Sequence, residues 1–236
     1  MLEIDDVDAS IEDVTVLRDV NIEVPEGETV ALVGRNGAGK TSTFRSVMGL
    51  QTVTNGTIRF RGEDITAHDT FERKRLGIGF APEDRQLISK LTARENIEMS
   101  LWGSEEAFDV EDRLESVLDI FPVMEEFFDR EAGKLSGGQQ QMVAVSRALV
   151  ANPDLVLLDE PFEGLAPSIR KDLRESISVI REELNTTVFI AESQLNHILG
   201  VADRLYVIER GEILTQTDEP ASVEEDEELM QIIGGG

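Results

Sequence analysis

The first sixty residues alternate between hydrophobic and polar positions in the way that β-strands do. LEIDDV, VTVLRDVNIEV and TVALVG place apolar side chains at every second position or in short apolar runs. A fourth such segment, TIRFRG, follows Asn55-Gly56, a dipeptide that favours tight hairpin turns. The pattern therefore predicts a β-rich N-terminal region with a turn at Asn55-Gly56.

The middle of the chain has helical spacing instead. Thr92 and Glu95 match the capping-box pattern that begins many helices, and the segment NIEMSLW follows them. From residue 109 to 121 the apolar side chains recur at helical intervals, at Val110, Leu114, Val117, Leu118 and Phe121. Both segments are predicted to be helices.

The second half alternates between apolar strands and amphipathic helices. The strand-like segments are LVLLD, TVFIAE, RLYVIE and GEILT, and the helix-like segments between them are PSIRKDLRESISVIREEL and LNHILGVA. Fully apolar strands that alternate with helices are typical of a parallel sheet covered on both faces. The predicted fold class is therefore α/β.

Composition limits the compartment and the kinds of site. The chain has 236 residues, of which 40% are hydrophobic, and it has no cysteine, which excludes disulfides and thiolate metal sites. No apolar run approaches the roughly 18 residues of a membrane span. The first ten residues, MLEIDDVDAS, lack the basic and apolar regions of an export signal. We therefore expect a cytoplasmic location.

The charge balance is strongly acidic, with 48 acidic and 22 basic residues and a formal net charge of −26. Such a surface repels nucleic acid and anionic membranes, so no nucleic-acid partner is expected. The acidic residues are spread along the chain, which favours an evenly acidic surface over an acidic binding site. Because molar salt screens self-repulsion to within a few ångström, we hypothesise a halophilic host.

A phosphate-binding loop is predicted where Gly34-Arg-Asn-Gly-Ala-Gly-Lys40-Thr41 matches G-x-x-x-x-G-K-[ST] between an apolar strand and a helix. Loop N–H groups and the helix N-terminus suit phosphates. Lys40 is predicted to reach the β- and γ-phosphates of ATP, and Thr41 to bind Mg²⁺. A glycine-rich turn without a ligand does not explain the Lys-Thr pair. The predicted nucleotide-binding residues are Gly34, Asn36, Gly37, Ala38, Gly39, Lys40, Thr41 and Ser42.

Two carboxylates end a later apolar strand. LVLL, residues 155–158, is followed directly by Asp159 and Glu160. Functional groups of open α/β sheets collect beyond the carboxyl ends of strands. We therefore predict that Asp159 holds Mg²⁺ through water and that Glu160 is the general base for the attacking water. An acidic strand end at a surface turn is the alternative, and the phosphate loop upstream weakens it.

KLSGGQQQM opens another predicted helix with two glycines. Ser136 and Gln139 form a capping-box pattern, which does not explain why Gly137 and Gly138 lie between them. Glycines leave the helix N-terminus bare, and a bare N-terminus beside a hydroxyl is a second anion site. Since one nucleotide needs only one such site in its pocket, we predict a head-to-tail dimer with ATP in its interface.

In their order and spacing, these motifs resemble those of the ATP-binding-cassette ATPases, whose signature motif is LSGGQ, here Leu135–Gln139. The resemblance spans essentially the whole chain. It implies a P-loop NTPase core with a mostly parallel sheet, in residues 1–86 and 151–236, including an antiparallel β subdomain near the N-terminus. It also implies an inserted helical subdomain at about 87–150 that docks a membrane partner. The residues implied to contact ATP on the other subunit are Ser136, Gly137, Gly138 and Gln139.

The chain departs from the family pattern at three sites. Glu83 replaces the usual glutamine and is predicted as a Mg²⁺ ligand, although a carboxylate cannot donate a hydrogen bond to water. Ser193 replaces the switch histidine and is predicted, with Lys40 and Glu160, to be catalytic. Ile11 replaces the aromatic residue that stacks on adenine. His197, one helical turn beyond Ser193, is interpreted mainly as a surface or packing histidine.

Two short motifs narrow the resemblance. Pro-Glu-x-Arg at residues 82–85 and Gly-Leu-Ala-Pro at 164–167 resemble the ATPase subunits of branched-chain amino-acid importers. That resemblance implies ATP-driven solute import at the inner face of the membrane, with a second ATPase subunit (identical or different), two permeases and an extracytoplasmic solute-binding protein. Urea, short amides or another solute stay open as cargo. A non-transport ATPase or a regulatory ATP-binding module stays open as well.

Overall fold

The computed structural model describes residues 1–102 and 109–234. Its strands are β1 (Leu2–Ile11), β2 (Val14–Val24), β3 (Thr29–Val33), β4 (Val53–Phe60), β5 (Glu63–Asp64), β6 (Ile78–Ala81), β7 (Leu155–Asp159), β8 (Thr187–Glu192), β9 (Arg204–Glu209) and β10 (Glu212–Thr217). Its α-helices are α1 (Lys40–Val47), α2 (Thr70–Arg75), α3 (Ala93–Glu98), α4 (Val110–Ile120), α5 (Gly137–Leu149), α6 (Pro167–Leu184), α7 (Leu195–Ile198) and α8 (Glu227–Gly234).

The chain divides into two compact units. Unit 1 comprises Met1–Leu76 and Thr187–Gly236, and unit 2 comprises Gly77–Thr186. Short 3-10 helices lie in unit 2 at Met99–Leu101, Pro122–Glu126 and Ala132–Lys134, and in unit 1 at Pro220–Glu225. The helical subdomain predicted at about 87–150 falls within unit 2, and its boundaries stay a prediction.

Unit 1 contains an antiparallel sheet with strand order β2-β1-β4-β5. Leu2 of β1 lies opposite Val24 of β2 on one side and Phe60 of β4 on the other. These three side chains are buried, because alternate positions of each strand face the core as the hydrophobic pattern predicted. The predicted antiparallel N-terminal sheet is thereby confirmed.

The predicted turn at Asn55-Gly56 is wrong, because both residues lie inside β4. The register of β1 against β4 shifts between Asp5 and Asp8, where a β-bulge interrupts the ladder. Gly56 has φ +84°, and a Cβ on it would clash with the carbonyl oxygen of Asp6. A bulge of this kind and a hairpin turn both favour a residue with positive φ, so the same dipeptide marks either one.

The second sheet of unit 1 has strand order β10-β9-β3-β8. β3 is parallel to both β8 and β9, and all five of its residues are buried. On one face Phe44 of α1 packs against Phe189 of β8, with 4.8 Å between ring centroids. β10 runs antiparallel to β9 and is half exposed along its length. The predicted parallel arrangement is confirmed.

Unit 2 combines a parallel pair, β6 and β7, with most of the helices. The capping box of Thr92 and Glu95 begins α3, and the periodic segment at 109–121 forms α4, as predicted. One predicted helix of unit 1 is shorter than expected: α7 ends at Ile198, and Gly200 takes φ +77° two residues later. No helix in the described part of the chain has the length and apolarity needed to span a bilayer.

A buried arginine holds the end of α1 in unit 1. Arg73 is 1% exposed, and its guanidinium donates to the carbonyl oxygens of Ser46 at 2.6 Å and Val47 at 2.7 Å. It also donates to the carbonyl oxygens of Thr66 at 2.8 Å and His68 at 3.0 Å. Desolvation lowers the pKa of Arg73. The guanidinium thus satisfies carbonyls at the C-terminus of α1, where the helix dipole also favours a cation.

Replacing Arg73 with methionine is expected to lower the free energy of unfolding by about 3 kcal/mol, because two buried and two part-buried carbonyl oxygens lose their charged donor. Urea titrations at one fixed KCl concentration measure the change. Arg45→Met is the matched control, since Arg45 is an exposed arginine on α1. We expect the control to cost about 0.5 kcal/mol or less. Equal losses in the two variants would contradict the role of Arg73.

Candidate functional site

The loop between β3 and α1 has the geometry of a phosphate cradle. Gly34 leaves the buried strand and donates its N–H to the carbonyl oxygen of Glu192, 3.2 Å away. Gly37 has φ +83° and Gly39 has φ +119°, which side chains rarely allow. A Cβ on Gly37 would meet nothing within 4 Å. The backbone around Gly37 is therefore open to a ligand.

Lys40 lies inside the curve of this loop. The side chain is 4% exposed, and Nζ donates to the carbonyl oxygens of Gly34 at 2.6 Å and Arg35 at 3.2 Å. α1 begins at Lys40 without a side-chain cap and has no acidic residue in its first turn. Ammonium, hydroxyl and backbone N–H donors at one helix end fit the oxygens of a polyphosphate.

Ser193 lies at the same edge of the sheet as the loop. Val33 at the end of β3 is paired with Glu192 at the end of β8, so Ser193 follows directly beside Gly34. Glu192 is fully buried, and its Oε2 lies 3.1 Å from Nδ1 of His197. His197 is 3% exposed. It is therefore a packing histidine that ties α7 to β8, and it does not lie on the surface.

The two predicted carboxylates are buried at the end of β7 in unit 2. Asp159 is 1% exposed and Glu160 is 6% exposed. Glu160 has φ +48°, a strained conformation for a residue with a side chain, and strain of this kind is frequent at functional sites. This conformation turns the chain out of the strand immediately before Pro161.

Glu83 leaves the sheet at the same edge as these carboxylates. β6 is parallel to β7, with Ala81 opposite Leu158, so the chain after Ala81 emerges beside Asp159. The Glu83 side chain is exposed. No group of three or more Asp, Glu or His residues within the described ranges forms a metal cage. The carboxylates of Asp159 and Glu83 are oxygen ligands of the type that Mg²⁺ prefers.

The signature motif forms the start of α5. Ser136 Oγ accepts from the N–H of Gln139 at 3.3 Å, and Gln139 Oε1 accepts from the N–H of Ser136 at 2.9 Å. The predicted capping box is confirmed. The N–H groups of Gly137 and Gly138 come earlier in the first turn, where a helix provides no internal acceptors. Gly137 is exposed, so this end of the helix is accessible to another molecule.

The two signature glycines serve different steric purposes, since neither has a positive φ. A Cβ on Gly138 would lie 3.0 Å from Cγ2 of Ile169, so packing against α6 favours glycine there. A Cβ on Gly137 would meet only the guanidinium of Arg85, with Nη1 at 3.5 Å. Neither space nor backbone conformation therefore requires glycine at position 137. Its lack of a side chain leaves the helix end exposed.

Ile11, the predicted adenine contact, lies in unit 1, and two arginines that the sequence analysis did not assign lie in unit 2. Ile11 is 52% exposed at the end of β1, where it pairs with Val14 across a turn. Sequence reasoning assigned no role to Arg85 or Arg147, although Pro-Glu-x-Arg marked the first of them. The nucleotide, catalytic and metal roles given to individual residues stay predictions.

A glycine-rich loop between a buried parallel strand and an uncapped helix defines a P-loop nucleotide-binding protein. The family model "ABC transporter" matches residues 17–163. The chain belongs to the ABC transporter family and is an ATPase of the kind that powers such transporters.

Relatives agree with this membership. The chain is 39% identical over 214 residues to the high-affinity branched-chain amino acid transport ATP-binding protein BraG of Pseudomonas aeruginosa, covering 91% of each. It is 37% identical over 212 residues to the sulfate/thiosulfate import ATP-binding protein CysA of Synechocystis sp., covering 89% of this chain and 58% of that protein. A dimeric post-hydrolysis structure of the ATP-binding cassette MJ0796, bound to ADP and Pi, matches with a TM-score of 0.82 and 27% identity, covering 92% of this chain and 98% of that one.

Gly137→Ala is expected to keep or raise the free energy of unfolding, by up to about 1 kcal/mol, because alanine suits a helical residue with room for its Cβ. Gly138→Ala is the matched control and is expected to lower the free energy of unfolding by about 1 kcal/mol through crowding against Ile169. Urea titrations of both variants in the same salt compare them. If Gly137→Ala lowers the free energy of unfolding more than Gly138→Ala does, Gly137 has a structural role and the assignment to ligand access is contradicted.

Proposed function

We propose that this chain is the ATP-hydrolysing, energy-coupling subunit of an ABC importer for branched-chain amino acids. The proposed solute rests on the 39% identity to BraG, which extends over 91% of both chains. The similarity to CysA covers only 58% of that protein, so it supports the family more than a sulfate cargo. The Pro-Glu-x-Arg and Gly-Leu-Ala-Pro segments support the same branch.

Each part of the site has a proposed task in ATP hydrolysis. The N–H groups of residues 34–41 and the Lys40 ammonium bind the β- and γ-phosphates, and Thr41 and Asp159 hold the metal, with Glu83 as a further ligand. A bound Mg²⁺ neutralises charge on the phosphate oxygens. Glu160 accepts a proton from the water that attacks the γ-phosphorus, and ADP leaves. Ser193 supports the γ-phosphate with a neutral hydroxyl where a histidine would supply a cation.

The signature residues act on the nucleotide of a second ATPase subunit. Ser136, Gly137, Gly138 and Gln139 lie at an exposed helix end that suits a phosphate, which supports a contact made across a dimer interface. The matching MJ0796 structure is itself a dimer. The adenine rests against the exposed apolar side chain of Ile11 in place of an aromatic ring.

The proposed assembly places this subunit on the inner face of the cell membrane. Two permease subunits supply the membrane path, and an extracytoplasmic binding protein supplies solute selectivity. ATP-driven closure of the two ATPase subunits then moves the permeases. The second ATPase subunit is either another copy of this chain or a different cassette.

Glu160→Gln is expected to bind ATP with unchanged affinity while the hydrolysis rate falls at least about a hundredfold, because the general base is lost. ATP binding and phosphate release are measured in molar KCl. Glu163→Gln is the matched control, since Glu163 is exposed three residues further on, and it should hydrolyse ATP normally. Lys40→Ala should not bind ATP. Normal turnover by Glu160→Gln would rule out Glu160 as the base.

We also propose adaptation to molar salt, supported by the net charge of −26. Lowering KCl from about 3 M to about 0.1 M lengthens the Debye screening distance several-fold. The free energy of unfolding is therefore expected to fall steeply as salt is removed, with loss of the circular dichroism signal of the fold. Full helicity and cooperative unfolding in dilute buffer would contradict a halophilic origin.

A further inference from the structure

An arginine in the loop after β6 reaches the start of the signature helix within unit 2. Arg85 Nε donates to Oε1 of Gln141 at 2.8 Å. Gln141 lies four residues beyond Gly137 on α5 and is therefore on the same face of the helix, one turn further along. The guanidinium is thus anchored beside the first turn of α5.

The outer nitrogens of Arg85 face the bare end of α5. Nη1 and Nη2 lie 3.5 and 3.9 Å from the position that a Cβ on Gly137 would occupy. Within residues 1–102 and 109–234, no acceptor receives a hydrogen bond or ion pair from either nitrogen. Nη1 and Nη2 together carry four N–H donors, and these donors lie beside Gly137 at the open end of the helix. The Arg85 side chain is half-buried.

A buried amide adds a further donor at the same place. Gln141 is 2% exposed, and its Nε2 has no hydrogen-bond partner among the described residues. Side chains on a helix lean towards its N-terminus, so this amide is directed at the turn that contains Gly137. A buried donor without an acceptor is costly, and an anion at the helix end would satisfy it. The first turn of α5 contains no acidic residue to compete.

Hydrogen bonds from α5 hold the backbone of Arg85 in place. Arg85 and Gln86 have φ of +58° and +46°, two consecutive residues in a strained conformation. Arg147 of α5 holds this turn by donating to the carbonyl oxygens of Arg85 at 2.6 Å and Gln86 at 2.8 Å. Burial lowers the pKa of Arg147, and nearby Asp84 opposes that shift. The loop is therefore pre-organised to present the Arg85 guanidinium.

We propose that Arg85 is a binding residue for the terminal phosphate of the ATP molecule held by the second ATPase subunit. A guanidinium can donate two parallel hydrogen bonds to phosphate oxygens. Arg85 would add these bonds to the N–H groups of Gly137 and Gly138 and the hydroxyl of Ser136. The inference rests on the proposed function, because it requires the signature helix to face a nucleotide on another subunit.

The test uses tagged Glu160→Gln protein from its own host, isolated in molar KCl with Mg²⁺ and increasing ATP. The measured quantity is the ATP concentration at which half of the partner ATPase subunit is retained. Adding Arg85→Gln is expected to raise this concentration at least tenfold. Arg130→Gln is the matched control, because Arg130 is an exposed arginine of unit 2 that donates to the carbonyl oxygen of Lys134. Its midpoint should stay within twofold of the parent.

Two further measurements separate phosphate binding from a purely structural role. ATP binding by the isolated subunit should be unchanged in Arg85→Gln, because Arg85 is proposed to contact only the nucleotide held by the second subunit. Arg85→Lys should recover part of the loss, because it keeps the cation although it loses the Gln141 contact. If the lysine variant is no better than glutamine and both melt at lower temperature, Arg85 is structural and the inference is overturned.

The outcomes also distinguish the inference from the proposed function. A midpoint for Arg85→Gln within twofold of the parent overturns the inference alone. If the Glu160→Gln parent retains no ATPase partner at any ATP concentration, the proposed dimer mechanism fails, and the role of Arg85 fails with it.

Discussion

The proposed function requires two helix N-termini to keep their backbone N–H groups open to an anion, and much of the local structure is consistent with that requirement. α1 begins without a side-chain cap, and α5 begins with a capping box that leaves Gly137 bare. Neither helix has an acidic residue in its first turn, whereas α2, α3, α4 and α8 all do. Acidic first turns stabilise helices and suit a chain with 48 acidic residues. α6 and α7 also begin without an acidic residue in the first turn, but among the described α-helices only α1 and α5 begin at a glycine, Gly39 as the N-cap of α1 and Gly137 as the first residue of α5.

Arginine supplies much of the interior polar organisation in both units. Arg73 holds the C-terminus of α1, and Arg147 holds the strained turn at Arg85 and Gln86. In each case a planar fork of donors reaches two or more carbonyl oxygens at once. A chain with only 22 basic residues thus places some of its cations where backbone carbonyls need them.

The sequence was sufficient for features that depend on local spacing. The strands β1 to β4 and β7 to β10, the capping boxes at Thr92 and Ser136, and α6 follow from hydrophobic period and cap chemistry within a few residues, whereas β5 and β6 were not predicted. The phosphate loop and the carboxylates after β7 were recognisable for the same reason. Asn55-Gly56 was misread because a bulge and a turn favour the same backbone conformation, and only the partner strand distinguishes them. The Glu192–His197 contact and the Arg85–Gln141 contact join residues brought together by the fold, and no spacing rule announces them.

The arginine contacts between the loop after β6 and α5 have a genetic consequence in the proposed dimer. In that proposal, the loop carries Glu83 for the subunit's own nucleotide, and α5 carries the signature for the partner's nucleotide. A change at Arg147 would disturb both elements of one chain, so a dimer of one altered and one normal chain would have a fault in each of its two ATP sites. If the subunit pairs with itself, random mixing leaves only about a quarter of dimers intact when both alleles are expressed equally. Such an allele would be dominant, whereas loss of the whole chain would be recessive.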